Sequence, residues 1–198
     1  MKKSFLGIVL TIVFVTIFSG CAHKITIAPD TEKISTTVEI NQKPYNIGYF
    51  IEDINLAVIT GGGGGDRVTY QPYKETESAL VSVLSKHFKK VYKIENLENK
   101  DFINKNNLNL IFTYKILTHS SSQSLFTWPP TNFSIILTCK AVDKNGNIIW
   151  KDIIKDEGNA EFDEFKNDFS LSAKRASENV FKKLLIELNN VKELEMVK

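Results

Sequence analysis

Histidine, serine and acidic side chains are the residues of this chain that could carry catalysis or hold a metal ion. The histidines are His23, His87 and His119, which are far apart in sequence, and none lies in an HxxxH or CxxC spacing. A metal site needs several such ligands close together. We therefore expect solvated or structural histidines, with no metal site and no cofactor.

Ser120–Ser122 follow His119 directly and could be imagined as a nucleophile beside its base. Adjacent residues on one segment rarely reach that geometry, and the chain has no GxSxG motif. Carboxylates that could pair for acid–base work cluster at Asp156, Glu157, Glu161, Asp163 and Glu164. Nothing around them predicts burial, so a solvated acidic face is favoured, and we predict that the chain is not an enzyme.

Five consecutive glycines, Gly61–Gly65, suggest either a phosphate-binding loop or a flexible connection. A Walker loop would need Lys-Ser or Lys-Thr leading into a helix, whereas Asp66 and Arg67 follow here. The flexible connection is therefore favoured, and we expect this segment to be mobile.

An aromatic and proline-rich loop offers the best candidate for binding. The prolines stiffen the backbone, and pre-stiffened aromatic side chains bind a partner at low entropic cost. We predict a contact surface here, although Trp128 could instead fold back and cover the sheet, because tryptophan is usually highly buried. The predicted contact residues are Leu125, Phe126, Trp128, Pro129 and Pro130.

The first residues have the composition of a secretory signal. Lys2 and Lys3 precede an uncharged apolar run over 5–18, and Ser19 and Gly20 follow it. As a helix, these 14 residues would reach about 21 Å, short of the ~30 Å of a hydrocarbon core. Cleavage is therefore favoured over a permanent membrane span.

Cys21 comes directly after these small residues, and the junction resembles the lipobox of bacterial lipoproteins, with Phe18 where an aliphatic residue is usual. The resemblance implies cleavage before Cys21 and a lipid, palmitate among its acyl chains, on that residue. Ala22 in place of the aspartate that retains lipoproteins in the inner membrane of enteric bacteria implies the periplasmic face of the outer membrane. The inner membrane remains the alternative.

The charge balance and the cysteine content limit the kinds of partner and covalent link that we expect. The 198 residues hold 25 Lys and Arg against 23 Asp and Glu, and without Lys2 and Lys3 the charges balance. A neutral body has no global field that would gather nucleic acid, so we expect no nucleic-acid partner. Cys139 is then the single remaining cysteine, and a buried, unpaired thiol is expected there.

Hydrophobic periodicity predicts an α+β fold with a mainly antiparallel sheet and two amphipathic helices on one face. The helices are predicted over 75–88 and 169–188, and alternating strands over 108–117 and 133–142. Asn145-Gly146 between two β-rich runs predicts a hairpin. The predicted units are a signal peptide 1–20, a lipidated cysteine and short tether 21–44, one domain 45–190 and a polar tail 191–198.

The order of these elements, with the closing helix around 172–188 after Asp156–Phe162, is similar to the small YajG-like periplasmic lipoproteins of Gram-negative bacteria. That resemblance implies a membrane-anchored, non-enzymatic domain. We predict an accessory or assembly subunit of a cell-envelope complex, held to the membrane by lipid and in contact with an envelope protein. The alternative is a periplasmic small-molecule or lipid-binding module with a pocket between sheet and helices.

Overall fold

The computed structural model describes residues 22–35, 37, 39–124 and 126–195, and within them eight strands form two sheets. The predicted signal peptide, Cys21, Leu125 and residues 196–198 of the tail lie outside the described residues. The strands are β1 (Ala22–Lys24), β2 (Lys43–Phe50), β3 (Val58–Gly61), β4 (Arg67–Tyr70), β5 (Phe88–Lys93), β6 (Leu108–Ser121), β7 (Asn132–Asp143) and β8 (Ile148–Asn159). The α-helices are α1 (Pro72–His87), α2 (Lys100–Lys105), α3 (Phe162–Phe165) and α4 (Leu171–Asn190), and 3-10 helices span Thr31–Lys33 and Lys192–Glu195.

The larger sheet has the order β5-β2-β6-β7-β8. β6, β7 and β8 form a long antiparallel meander, whereas β2 runs parallel to both of its neighbours, β5 and β6. Most of the paired length is antiparallel, which confirms the predicted α+β class. The short sheet has the order β1-β4-β3, with β1 parallel to β4 and β3 antiparallel to it.

The two long helices cover one face of the larger sheet and form the main core with it. Pro72 occupies the first turn of α1, where its missing N–H costs no hydrogen bond. The apolar stripe of α4 includes Val180, Phe181 and Leu184, which are almost completely buried against the sheet. Alternate residues of β7 complete this core, namely Phe133, Ile135, Leu137, Cys139 and Ala141, and they share one face as predicted.

The opposite face is covered only in part. A smaller cluster there joins Ile103 of α2 to Ile94, Ile111 and Val142, so α2 shields the sheet near the start of β6. No helix among the described residues is long and apolar enough to cross a membrane.

The segment before residue 45, which the sequence assigns to a short tether, belongs in large part to the packed body. Ile25, Ile27 and Ile34 are buried in the main core. Glu75 of α1 fixes this segment, because its Oε2 accepts hydrogen bonds from the Ile27 N–H at 2.7 Å and from the Thr26 hydroxyl at 2.9 Å. At the other end of the chain, Val191 and Leu194 are buried as well.

The predicted hairpin joins β7 to β8. Gly146 has φ of 87°, the left-handed conformation that favours glycine. Asp143 accepts backbone hydrogen bonds from Asn145 and Asn147, both at 2.8 Å. This turn fixes the register of β7 against β8, and that register places the side chains of the face that α1 and α4 leave uncovered.

Candidate functional site

The structure separates the three histidines. His23 lies beside Trp128 and Asp66, His87 is buried beneath α4, and His119 is exposed on β6. Within the described part of the chain, no three His, Cys, Asp or Glu side chains group closely enough to hold a metal ion.

Two titratable groups, His87 and Cys139, are buried in the protein interior. The Nε2 of His87 donates to the carbonyl oxygen of Leu185 at 2.8 Å, and burial lowers the pKa of His87 to about 4, assisted by Lys43 and Lys86. Cys139 is a free thiol buried in the core, and burial, with Asp152 nearby, raises its pKa to about 12. Both groups belong to the buried interior, where His87 and Cys139 are 0% and 3% exposed.

The serine and acidic candidates serve as internal contacts. Ser120 and His119 point to opposite faces because they are consecutive in β6. The Ser120 hydroxyl is buried and contacts the carbonyl of Gly61 and the hydroxyl of Thr60. Glu164 forms a bidentate pair with Arg175 at 2.8 and 3.1 Å, and this hydrogen-bonded partner holds the pKa of Glu164 at about 2.

The glycine run is a packed connection between β3 and β4. The Gly63 N–H donates to the carbonyl of Trp128 at 2.8 Å, and the Gly62 N–H donates to the carbonyl of Asp66 at 2.9 Å. A Cβ atom at Gly63 would lie 1.7 Å from the Thr127 carbonyl oxygen. Glycine is needed at position 63 because its backbone lies directly against that of Thr127 and Trp128. The sequence had suggested a mobile segment and did not predict this contact.

The predicted contact loop divides into buried and exposed parts. Pro129 and Pro130 are buried, and Trp128 is half-buried against the main core, with His23 stacked on it. Phe126 is 95% exposed. Leu125 lies outside the described residues. Trp128 packs inward, as one sequence interpretation expected, while Phe126 faces solvent, as the other requires. A contact role for the loop stays a prediction.

Sequence reasoning missed a second surface, which we call the open sheet face: the side of β6, β7 and β8 that α1 and α4 do not cover. The register brings one apolar group together there, because Leu117 pairs with Ile136, and Ile153 pairs with Thr138 one step along. Leu117 is 66% exposed, Ile153 54% and Ile136 36%. The sequence does predict the alternating strands and the hairpin. Which exposed side chains become neighbours, however, depends on the register of all three strands.

A row of basic residues borders this apolar group. Lys140 lies directly opposite Lys151, and Lys115 lies diagonally from Lys140 on β6. None of these three lysines has an ion-pair partner among the residues that the structure describes. Like charges directly opposite on neighbouring strands destabilise a sheet. The arrangement therefore carries a cost to folding, and Glu52 is the carboxylate that lines the same cleft.

The same lysines line a cleft of about 420 Å³, which we call the basic cleft. Its row across four strands runs from Phe50 through Thr113 to Lys140 and Lys151. Phe50, Leu97 and Val142 supply apolar surface, and Glu52 adds one carboxylate. The cleft can therefore accept an anionic group that carries an apolar portion.

Comparisons with known proteins find likeness only among solved structures. No family model matches the chain, and no curated protein matches it.

Three solved structures resemble the chain. A Xanthomonas campestris protein described under the family DUF330 has 10% identity and a TM-score of 0.45, with 86% of this chain and 95% of that one covered. A PelC dodecamer from Paraburkholderia phytofirmans has 11% identity and a TM-score of 0.44, with 78% and 96% covered. A Helicobacter pylori homologue of a neuraminyllactose-binding hemagglutinin has 14% identity and a TM-score of 0.46, with 82% and 92% covered. We draw no functional argument from likenesses at this level.

Proposed function

We propose that this chain is a lipid-anchored protein of the bacterial cell envelope that works by binding, as an accessory or assembly subunit of an envelope complex. In this proposal Cys21 carries the lipid, and the domain faces the periplasm from the outer membrane. The sequence around Cys21 supports the anchor. The similarity to YajG-like lipoproteins supports a non-enzymatic role.

The observation that carries the binding role is the open sheet face. Single exposed apolar residues are ordinary on protein surfaces. Leu117, Ile136 and Ile153 are instead neighbours across three strands, and this grouping supports an interaction site.

The surrounding charges, which are mostly basic with Glu157 as an exception, support an acidic partner. Lys155 lies opposite Ile136, and Lys115, Lys140 and Lys151 lie beyond it. A protein surface with an apolar centre and carboxylates at its edge would complement both features. An acidic protein partner is therefore the occupant that we propose.

Photo-crosslinking in the native envelope tests this role. A photoreactive residue at Ile136 should capture one reproducible protein, whereas the same residue at the exposed Lys182 of α4 should not. Ile136→Asp should abolish the capture by a probe placed at Ile153. The matched control is Ile148→Asp, because Ile148 is also exposed (57%) but lies beside the hairpin. Equal capture from Ile136 and Lys182 would contradict the proposal.

A second candidate function, binding of a small amphiphile, is favoured specifically by the basic cleft. An anionic head group would neutralise Lys140 and Lys151, and an apolar chain would cover Phe50 and Leu97. Native mass spectrometry of the purified chain should then show a bound anion that Lys140→Thr removes. Identical spectra for the two proteins would count against this candidate.

A further inference from the structure

Three exposed phenylalanines, Phe126, Phe162 and Phe169, gather with the half-buried Trp128 at one end of the domain, which we call the aromatic end. Phe126 is 95% exposed, Phe162 60% and Phe169 48%. Trp128 contacts Phe169 edge to face, with ring centroids 5.0 Å apart. Phe162 lines a surface depression together with Gln123 and Ser124 of the loop. All four residues therefore belong to, or lie beside, the loop between β6 and β7.

Described residues on both sides of Phe126 make hydrogen bonds within the loop or to the body. On its N-terminal side, the Phe126 N–H donates to the Ser124 hydroxyl at 3.2 Å. On its C-terminal side, Trp128 is fixed through its carbonyl by Gly63, and buried Pro129 follows. One exposed phenylalanine would be ordinary on a protein surface, but Phe126 lies at the same end of the domain as the exposed Phe162 and Phe169.

The start of the described chain lies at this same end. His23 stacks on Trp128, with ring centroids 4.2 Å apart and an angle of 15° between the planes. Cys21 is only two residues earlier in the sequence, and two residues of any chain span at most about 8 Å. A lipid on Cys21 would leave no spacer, and the bilayer would have to lie against the aromatic end. The β7–β8 hairpin is at the far end of β7, about 40 Å away for 12 residues.

Charges at the aromatic end are compatible with a bilayer surface. Three of its carboxylates have a cation nearby: Asp163 with Lys166 at 3.0 Å, Glu164 with Arg175 at 2.8 Å and Asp168 with Lys174 at 2.8 Å. These three pairs lower the negative charge that this surface presents to anionic lipid head groups. Tryptophan favours the membrane–water interface, and phenylalanine is among the apolar residues that interfacial helices bury at the head-group boundary.

We infer that the aromatic end is a membrane-seating surface, with Phe126 inserted into the interfacial layer of the bilayer. The inference rests on the proposed lipid at Cys21 and goes further, because it fixes an orientation. β6, β7 and β8 would then run away from the membrane, and the open sheet face would point sideways, accessible to a partner in the periplasm.

Depth-dependent quenching tests this orientation. The lipidated chain carries Cys139→Ala together with Phe126→Cys, labelled with an environment-sensitive fluorophore. It is reconstituted into phosphatidylethanolamine–phosphatidylglycerol vesicles that contain acyl-brominated lipid. The matched control is Asn145→Cys, labelled in the hairpin at the far end. We expect a blue shift and at least twofold stronger quenching at position 126 than at position 145.

Equal quenching at the two positions would overturn the inference. So would a photoreactive residue at 126 that crosslinks in the envelope to a protein and not to lipid, since a protein would then cover this end.

A separate measurement distinguishes failure of the anchor from failure of the seating. A fatty-acid analogue should label the full chain in cells, and Cys21→Ser should remove the label. If no label appears, the anchor is wrong, and the position 126 probe is repeated on a chain held to nickel-chelating lipid by an N-terminal histidine tag. Quenching in that arrangement supports the seating without the native lipid, and its absence rejects the seating.

Discussion

The imidazole of His23 lies flat against the indole of Trp128, with ring centroids 4.2 Å apart. The pair joins the first described strand to a loop between β6 and β7 that is distant in sequence. Asp66 stands beside the same imidazole, with 3.4 Å between Nε2 and Oδ2. The start of the folded body, the glycine connection and the predicted contact loop therefore form one structural unit.

Loss of the His23 ring should loosen that unit. In His23→Ala we expect the free energy of unfolding to fall by roughly 0.5–1.5 kcal/mol, the usual range for a ring pair. The emission of Trp128, measured in a Trp150→Phe background, should move to longer wavelength as water reaches the indole. His119→Ala is the control, because His119 is exposed and makes no ring contact among the described residues. Indistinguishable spectra for the two variants would contradict this role.

Alanine at Gly63 should be far more harmful than alanine at Gly65. The new Cβ at position 63 would lie 1.7 Å from the Thr127 carbonyl oxygen, so one of the two backbones must move. We expect a loss of about 2 kcal/mol or more, because the clash is with backbone. At Gly65 there is open space but φ is 87°, so the expected loss is about 1–2 kcal/mol. Urea unfolding of both variants measures the difference, and equal losses would show that close packing plays no part.

Local patterns predicted the parts of the fold that depend on nearby residues. The apolar stripe of α4 and the alternation of Phe133, Ile135 and Leu137 required only the sequence period. The hairpin was predicted from Asn145-Gly146, which is also a local signal. The parallel pairing of β2 with both β5 and β6 was not predictable in this way, because it depends on residues far apart in the chain.

In the candidate sites, too, local features were predictable and features that depend on distant residues were not. Phe126 was among the predicted contact residues, and its exposure agrees with a surface position. Pro129 and Pro130 were expected on the same surface but are buried, because the backbone turns inward towards Gly63. Lys140 and Lys151 had no sequence motif, since only the strand register places them opposite each other.

The hydroxyl of Tyr70 links the two sheets, and its removal should destabilise the fold. It lies 2.6 Å from the Thr118 hydroxyl of β6 and 3.3 Å from the Thr60 hydroxyl of β3. In Tyr70→Phe the ring keeps its packing, whereas two partly buried hydroxyls lose a partner, so we expect a loss of about 1–3 kcal/mol. Chemical denaturation measures it. Tyr45→Phe is the control, because the Tyr45 hydroxyl makes an exposed hydrogen bond to Glu195 and its loss should have little effect.

Reversal of one charge in the basic cleft should stabilise the sheet. Lys151→Glu converts a directly opposed pair of cations with Lys140 into an ion pair, so the free energy of unfolding should rise by roughly 0.2–1 kcal/mol. The gain should shrink in high salt, which screens exposed charges. Lys90→Glu on the edge strand β5 is the control, since the opposite residue there is the neutral Asn46. A loss of stability in Lys151→Glu would show that the two lysines do not repel each other in the fold.

His87 should make the fold sensitive to mild acid. Burial lowers its pKa to about 4, and Lys43 and Lys86 add to this effect, while the hydrogen bond with Leu185 opposes it. In the unfolded chain the imidazole titrates near 6.5. Between these values the unfolded chain binds more protons than the folded one, so the free energy of unfolding falls as the pH is lowered from 6.5 towards 4.

His87→Gln should remove that part of the pH dependence. A glutamine amide can still donate to the Leu185 carbonyl, but it does not titrate. The measurement is the urea midpoint of both proteins at about pH 7 and about pH 5. The imidazole of the unfolded chain takes up most of its proton between these two pH values. The natural protein should lose more stability between the two conditions than the variant does, whatever their absolute stabilities. Because exposed carboxylates contribute equally to both proteins, parallel losses would mean that His87 is not held neutral in the fold.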